Sequence, residues 1–474
     1  MDFGFRMQNF RRMRARLSSV PTYLHAPWLC VFICLANSGG SLVRADSVRL
    51  LCDDSTALLH RLALIDSAES EILYSAYEVG DDPAVLRLLA GLREAARRGV
   101  CVKLIVDGHA QNNLMPKPLM ERLIGDGVQI REHMPDVRYK VELGRQRMHD
   151  KLFIVDGRQM IMGGRNLRAD YFGMAERNYL DRELFLVGST VQHARNYFLA
   201  RWNCYTSGQP SLDRPEKKKT RERQELDFLN DMPRAAALSC ADRLLEQALT
   251  AALPLSATCC QDHCSQCNCE PFIEIDCIRF LHDIPGAPKD EPAAIANQLG
   301  ECISRAQQCI VIETPYPVFT QNLRHRLAEA RRRGVEINIV TNSLETTNQL
   351  IVHAQYANER RWLRSQGIQL WEMKGEHYLH SKAMIIDHHL SMMGSYNFDV
   401  LSETRNSEVA LLIDDGAFAA ALAERIQRDM AMSVKVPVDE TLIGFDRRTN
   451  DVDDKVLREA RIKRFLSPWI KKYL

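Results

Sequence analysis

The chain repeats itself, and a repeated sequence of this length must fold as two similar bodies. The segment "LREAARRGVCVKLIVDG" (Leu92 to Gly108) is matched by "LAEARRRGVEINIVTNS" (Leu327 to Ser343), with Gly334 answering Gly99. Each copy reads as a helix, a glycine stop and a buried strand. Arginines in the last turn suit the negative end of the helix, and glycine supplies the left-handed cap. Downstream, "GDGVQIREH" is answered by "SQGIQLWEM", and each unit is preceded by an apolar run, "SEILYSAYEV" (Ser70 to Val79) and "QCIVIETPYPVF" (Gln308 to Phe319). Strands alternating with helices predict the α/β class, with a mixed or largely parallel sheet in each half. The halves are expected at 47–206 and 271–434, joined by a linker over 207–270 whose "SGQPSLDRPEKKKTRERQ" is polar and charge-dense.

Each half ends in the same pattern. "MHDKLFIVDGRQMIMGGRN" places His149, Lys151, Asp156, Gly163, Gly164 and Asn166, and "LHSKAMIIDHHLSMMGSYN" places His380, Lys382, Asp387, Gly394, Ser395 and Asn397. A lone His-x-Lys carries little information; two long matched patterns in matched repeats do. Residues i and i+2 of a strand face one side, so His149 projects with Lys151 and His380 with Lys382. A turn at Asp156-Gly157 or Asp387-His388 then returns the chain, and Asp156 and Asp387 are expected to fix that turn. Gly164 and Ser395 are expected to let backbone approach a bound phosphate, with Asn166 and Asn397 as uncharged donors to it.

Two histidines with two lysines suit phosphodiester chemistry. The phosphate oxygens need neutralising, which Lys151, Lys382 and the asparagines can do. One neutral imidazole can attack phosphorus while the other, protonated, serves the leaving alkoxide. Each ring needs an acceptor on its second nitrogen, and Glu183 in "YLDRELFLVG" and Glu408 in "RNSEVALLID" are expected to orient the histidines, each entering a strand downstream of its own motif. His388 and His389 are expected at an exposed hairpin turn, and Tyr74, Tyr77 and Tyr316 are expected to pack in the core or at a rim, with lining of the substrate mouth as the alternative.

At these residues the sequence resembles the phospholipase D superfamily, whose signature is this duplicated motif, and the likeness runs from about Val48 to Met432. Within it, "RMHDKLFIVDGRQMIMGGRN", "DYFG", "TNSL" and "GSYNFD" are most similar to bacterial cardiolipin synthases and related phospholipases D. The resemblance implies two tandem α/β/α sandwich repeats sharing one active site at their interface, a phosphohistidine intermediate, and no metal or other cofactor. It implies His149 as nucleophile and His380 as general acid, an order the symmetry leaves open. It also implies glycerophospholipids such as phosphatidylglycerol as partners, at a membrane surface in the bacterial envelope or outside the cell. An alcohol acceptor would make a synthase, water a lipase; oligomerisation is not required.

Composition weighs on the alternatives. Lys+Arg 62 against Asp+Glu 61 leaves a formal charge of +1, so no basic surface advertises nucleic acid, and a nuclease of the same chemistry is the lesser reading. A non-catalytic lipid- or protein-binding module is disfavoured by the intact motifs. The leader over 1–46, with Arg6, Arg11, Arg12, Arg14 and Arg16 before an apolar stretch, reads as a signal peptide, an anchor or a plain leader. The cysteines from Cys259 to Cys269 match no zinc spacing well and are read as a variable surface loop, with zinc, disulfides or acylated thiols as alternatives. The tail over 435–474 mixes Trp469 and Ile470 with many basic residues, and reads as an interfacial membrane segment or one packed on its own domain.

Overall fold

The computed structural model describes residues 45–108, 115–133, 147–210, 212, 226–253, 270–284 and 293–437. The leader through residue 44, the Cys259–Cys269 cluster, most of the charged linker and the tail beyond 437 lie outside the described residues.

Alternation within single strands dictates the layers. In the strand Leu152–Val155, Phe153 and Val155 join one apolar cluster while Leu152 and Ile154 join another. A strand patterned on both faces must be covered on both faces. The first half runs β1 (Asp46–Leu51), α1 (Asp54–Ser67), β2 (Glu71–Ala76), α2 (Pro83–Arg97), β3 (Cys101–Asp107), α3 (Lys117–Gly125), β4 (Gln129–His133), β5 (Arg147–Met148), β6 (Leu152–Val155), β7 (Gln159–Gly163), β8 (Tyr179–Leu180), β9 (Glu183–Val187), α4 (Thr190–Asn203) and β10 (Ser207–Gly208). Then come α5 (Arg234–Thr250) and β11 (Ile273–Ile275). The second half repeats the series as β12 (Ile278–His282), α6 (Ala294–Arg305), β13 (Cys309–Glu313), α7 (Gln321–Arg332), β14 (Glu336–Asn342), α8 (Leu350–Ser365), β15 (Gln369–Met373), β16 (Tyr378–Leu379), β17 (Ala383–Ile386), β18 (Leu390–Gly394), α9 (Val400–Thr404), β19 (Asn406–Ser407), β20 (Val409–Asp414), α10 (Gly416–Ala431) and β21 (Ser433–Lys435).

Two sheets result, in the same spatial order. Among the described residues the first is β10-β4-β3-β2-β6-β7-β9-β1-β11 and the second β21-β15-β14-β13-β17-β18-β20-β12. Both are mixed: β2-β3-β4 and β13-β14-β15 run parallel, and the other pairs antiparallel. Gly99 and Gly334, at φ +94 and +92, end the helices before β3 and β14 as the sequence requires. The outer face of the first sheet packs on α1, α2, α3 and α5, and that of the second on α6, α7 and α8. The inner faces meet in one shared core, where Leu184, Leu186 and Phe198 of one half join Leu411, Ile413 and Phe418 of the other. Fully burying such a side chain contributes about 1.5–3 kcal/mol, so the interface between halves is hydrophobic interior rather than a loose contact.

Two boundaries differ from the sequence reading. Ile273–Ile275, expected in the second repeat, pairs antiparallel with β1 as the ninth strand of the first sheet, so the division falls between β11 and β12. The region read as linker contains α5, which buries Ala237, Ala241, Leu245 and Ala248 against the first half. Its Asp242 and Glu246 meet the fully buried Arg93 of α2. These ion pairs tie α5 to the fold, adding two counter-charges from α5 to the enclosed Arg93 guanidinium, which Glu94 also approaches. Among the described residues no helix is long and apolar enough to cross a membrane.

Candidate active site

The site is assembled by two short exchanges of backbone between the halves. β5 pairs in parallel with β19, Arg147 opposite Asn406, and the His149 amide donates to the Ser407 carbonyl (3.0 Å). Reciprocally β16 pairs with β8, Tyr378 opposite Tyr179, and the His380 amide donates to the Leu180 carbonyl (2.8 Å). Each bridge brings a histidine next to a carboxylate of the opposite half. His149 Nδ1 lies 2.8 Å from Glu408 Oε2, and His380 Nδ1 lies 2.6 Å from Asp181 Oδ2. Both rings line a single cavity of about 740 Å³.

Glu408 therefore meets an imidazole, but that of the other half's motif rather than its own. Glu183 meets neither. It is fully buried, donated to by Arg61 (2.6 Å) and 3.6 Å from Arg165. The residue beside His380 is Asp181, which the sequence reading missed. Strand register gives the reason: Gly163 faces Glu183 across β7–β9, whereas Gly394 faces Ala410 across β18–β20. Counting two residues back from each lands on Asp181 and Glu408. Aligning the apolar runs on Leu184 and Leu411 recovers this equivalence from the sequence alone.

The supporting residues explain the single departure between the motifs. A Cβ built on Gly164 would fall within 2.5 Å of Asp181 Oδ2. Aspartate is one methylene shorter than glutamate, so its carboxylate occupies the space over residue 164. In the other copy the longer Glu408 leaves room for Ser395, whose hydroxyl donates to it at 2.6 Å, joined by Ser402 at 2.7 Å and Asn406 at 3.1 Å. Gly164 and Ser395, expected to contact phosphate, instead accommodate the two carboxylates, and neither lines the cavity. Asn166 and Asn397 do line it, and the Oδ1 atom of each is buried without a hydrogen-bond partner among the described residues.

Asp156 and Asp387 hold their hairpin turns at φ +49 and +51 and also staple the neighbouring strand. Asp156 accepts from the amides of Glu69, Ser70 and Glu71, and Asp387 from those of Gln307, Gln308 and Cys309. A second missed pair positions the histidine segments: Asp107, ending β3, accepts from the Met148 amide (3.0 Å), and Asn342, ending β14, brackets Leu379 by bonding both its amide and its carbonyl (2.8 Å each). His388 and His389 sit at the turn, His389 exposed and 2.6 Å from Asp414. Of the three tyrosines, Tyr77 and Tyr316 line the cavity, while Tyr74 is buried against Arg61.

Electrostatics at the site follow from burying four bases together. Burial first, then the charges of Lys151, Lys382 and Arg147, hold His149 well below its ordinary 6.5. Burial and Lys382 take His380 to about 3, against the pull of Asp181. Burial also lowers Lys151 to about 8 and Lys382 to about 7. The two carboxylates diverge: burial raises Glu408 to about 7, while at Asp181 burial is outweighed by Lys382 and His380 and the group lies below its usual value. Lys151 Nζ donates to the His149 carbonyl (2.9 Å) and Lys382 Nζ reaches that of His380. Among the described residues no group of three or more His, Cys, Asp or Glu is placed to hold a metal ion. With each Nδ1 facing a carboxylate, the Nε2 edges are the ones left for the cavity, an arrangement suited to nucleophilic and acid–base work on an anion.

Comparison with known proteins agrees with this geometry. The family model described as "Cardiolipin synthase, PLD-like domain" matches residues 62–202 and 299–430, together more than half of the chain. Cardiolipin synthase C of Escherichia coli strain K12 is 26% identical over 456 residues, covering 87% of this chain and 89% of that protein. An uncharacterized protein of Helicobacter pylori strain J99 is 26% identical over 408 residues, covering 78% and 76%. A crystal structure of phosphatidylserine synthase from Haemophilus influenzae Rd KW20 superposes with a TM-score of 0.62 at 16% identity, covering 91% of this chain and 97% of that one, a likeness of fold. Two matched repeats, their reciprocal histidine–carboxylate pairs and the family match lead to one assignment: the chain belongs to the cardiolipin synthase-like family of the phospholipase D superfamily.

Proposed function

We propose that the protein transfers a phosphatidyl group from a glycerophospholipid through a phosphohistidine. The observation that carries this reading is the reciprocal pairing, in which two imidazoles from distant sequence line one cavity, each with Nδ1 on a carboxylate of the other half. His149 Nε2 attacks phosphorus as the bond to the headgroup oxygen breaks, and that oxygen takes the proton of His380. The acceptor hydroxyl then returns a proton to His380 as its oxygen bonds phosphorus and the P–N bond breaks. The order of roles is supported by the carboxylates: the one kept firmly ionised, Asp181, stands behind His380, where it favours a protonated ring. An entering phosphate anion favours protonation of the same ring, so the proton needed by the leaving alkoxide is recruited with the substrate.

Lys151, Lys382, Asn166 and Asn397 surround the phosphate. Arg147 adds a guanidinium whose Nη2 has no partner among the described residues. Ile351, Val352 and Leu401 supply an apolar lining suited to the glycerol backbone and first acyl carbons. A lipid donor and the similarity to a cardiolipin synthase support action at a membrane surface of the cell envelope, with a lipid alcohol as the acceptor.

Incubating the purified protein with labelled phosphatidylglycerol, with and without chelator, tests the reading. The expected products are cardiolipin and glycerol, with an acid-labile phosphatidyl-enzyme trapped on the way, unaffected by chelator; phosphatidic acid alone would select water as the acceptor. His149→Ala and His380→Ala are each expected to lower turnover at least 10³-fold, a drop on the scale of losing one member of a catalytic triad. Near-normal turnover in either variant would refute the two-imidazole assignment.

A further inference from the structure

The two orienting carboxylates are held by opposite means. Glu408 is fixed through its side chain, by the hydroxyls of Ser395 and Ser402 and the amide of Asn406. Asp181, which fills the space over Gly164, has no such set: among the described residues its Oδ2 faces His380 and its Oδ1 accepts from the Arg182 amide (2.8 Å). Where that carboxylate points is therefore decided by where the 181–182 backbone is held.

Two buried guanidiniums hold it. Arg165, of the same half, donates to the Asp181 carbonyl (2.7 Å) and is itself braced by the Leu51 carbonyl (3.0 Å) and Asp54 (2.7 Å). Arg182 sends its side chain the other way, into the second half, where it is buried and meets the carboxylates of Glu313 and Asp429 and the Arg425 carbonyl (3.3 Å). Glu313 is fully buried at the end of β13, opposite Ala383, the residue that follows Lys382, and Asp429 belongs to α10. The guanidinium thus ties the peptide that aims Asp181 to the strand pair β13–β17, into which His380 and Lys382 lead. In the other copy, where Glu408 is held through its side chain, the position matching Arg182 is the apolar Val409. Stability alone does not call for an ion cluster here, since apolar groups of similar volume often serve as well in an interior; what the planar guanidinium adds is fixed direction toward two partners.

We propose that Arg182 is a positioning residue for the transfer reaction, acting through Asp181 by fixing that carboxylate against the His380 ring of the opposite half. The inference rests on the phosphatidyl-transfer reading and names the group that registers one half's acid on the other half's ring. A shift of the 181–182 peptide by about 1 Å carries Asp181 out of line with Nδ1, and a misplacement of that size costs about 10²-fold in rate.

The test uses the full chain and labelled phosphatidylglycerol, with Tm measured alongside kinetics. Removing the guanidinium alone leaves Glu313 and Asp429 unpaired in the interior, so Arg182→Met is combined with Glu313→Gln and Asp429→Asn. This uncharged triple variant is expected to fold and to lose about 10²-fold in kcat while KM for the lipid moves no more than about twofold. Arg182→Lys keeps the buried charge but loses the two-pronged grip, and is expected to lower kcat about tenfold. In an Asp181→Asn background both changes are expected to lower kcat less than about threefold, because the contact they serve is already gone. Equal losses with and without the Asp181 carboxylate, or wild-type kcat in whichever of the two variants folds, would overturn the proposal while leaving the transfer reading in place. A wild type without transferase activity, or an Asp181→Asn protein with unimpaired kcat, would overturn that reading and this inference with it.

Discussion

At the scale of single residues the site separates acids that act from acids that hold. Asp181 touches His380, and Glu183, two positions further along the chain at the start of β9, is enclosed with Arg61 and Arg165. Asp181→Asn is expected to lower kcat by about 10³- to 10⁴-fold, as loss of the orienting carboxylate does in a triad, with thermal unfolding little changed. Glu183→Gln leaves the buried Arg61 guanidinium without its carboxylate, Arg165 keeping Asp54, and is expected to cost about 3–5 kcal/mol of stability, read as a lowered Tm, while the folded fraction turns over normally. The pH profile follows from the shifts. Both lysines have lowered pKa values, so they carry charge at low pH and lose it as pH rises through about 7 to 8. His149 stays neutral to well below 6.5. The kcat/KM profile should therefore decline as pH rises through about 7 to 8, with KM for the lipid climbing; a decline that begins only near the ordinary lysine pKa of about 10.4 would contradict this.

Elements were legible where periodicity and glycine spoke together and obscure where contacts across the halves decided. The helix–glycine–strand units around Gly99 and Gly334 and the hairpins at Asp156 and Asp387 are written in the sequence. The two-residue strands β5, β8, β16 and β19 are not, since nothing local marks a pair of residues that becomes a strand only by meeting its counterpart in the other repeat. Glu183 misses the rings through register, since the position equivalent to Glu408 is Asp181, and the expectation that each half serves its own ring gives way to the crossing of His149 to Glu408 and His380 to Asp181. Likewise α5 fell inside the stretch read as linker and β11 inside the second repeat, and Arg93 and β1 explain their place. Asn342 shows what these short strands need: with its side chain bonded to both sides of Leu379, it takes the place of a neighbouring strand. Asn342→Ala exposes two buried backbone groups to loss of their partners. It is expected to cost about 1–3 kcal/mol and to slow turnover about tenfold by loosening His380, measured by chemical denaturation alongside steady-state kinetics.

Over the whole molecule, the inner faces of both sheets form one continuous core and the histidine segments cross between halves. The described portion of the chain is therefore expected to unfold in a single cooperative transition with matching calorimetric and van't Hoff enthalpies. Two resolved transitions assignable to the separate repeats would contradict it. The crossing of partners also has a historical side. Each copy holds a ring and lends its base to the other, so deleting either copy strands an imidazole without its acid and an acid without its imidazole. A gene that once doubled into this arrangement has no working path back to a single unit acting alone; reversal would need two separate chains to find one another and restore the exchange.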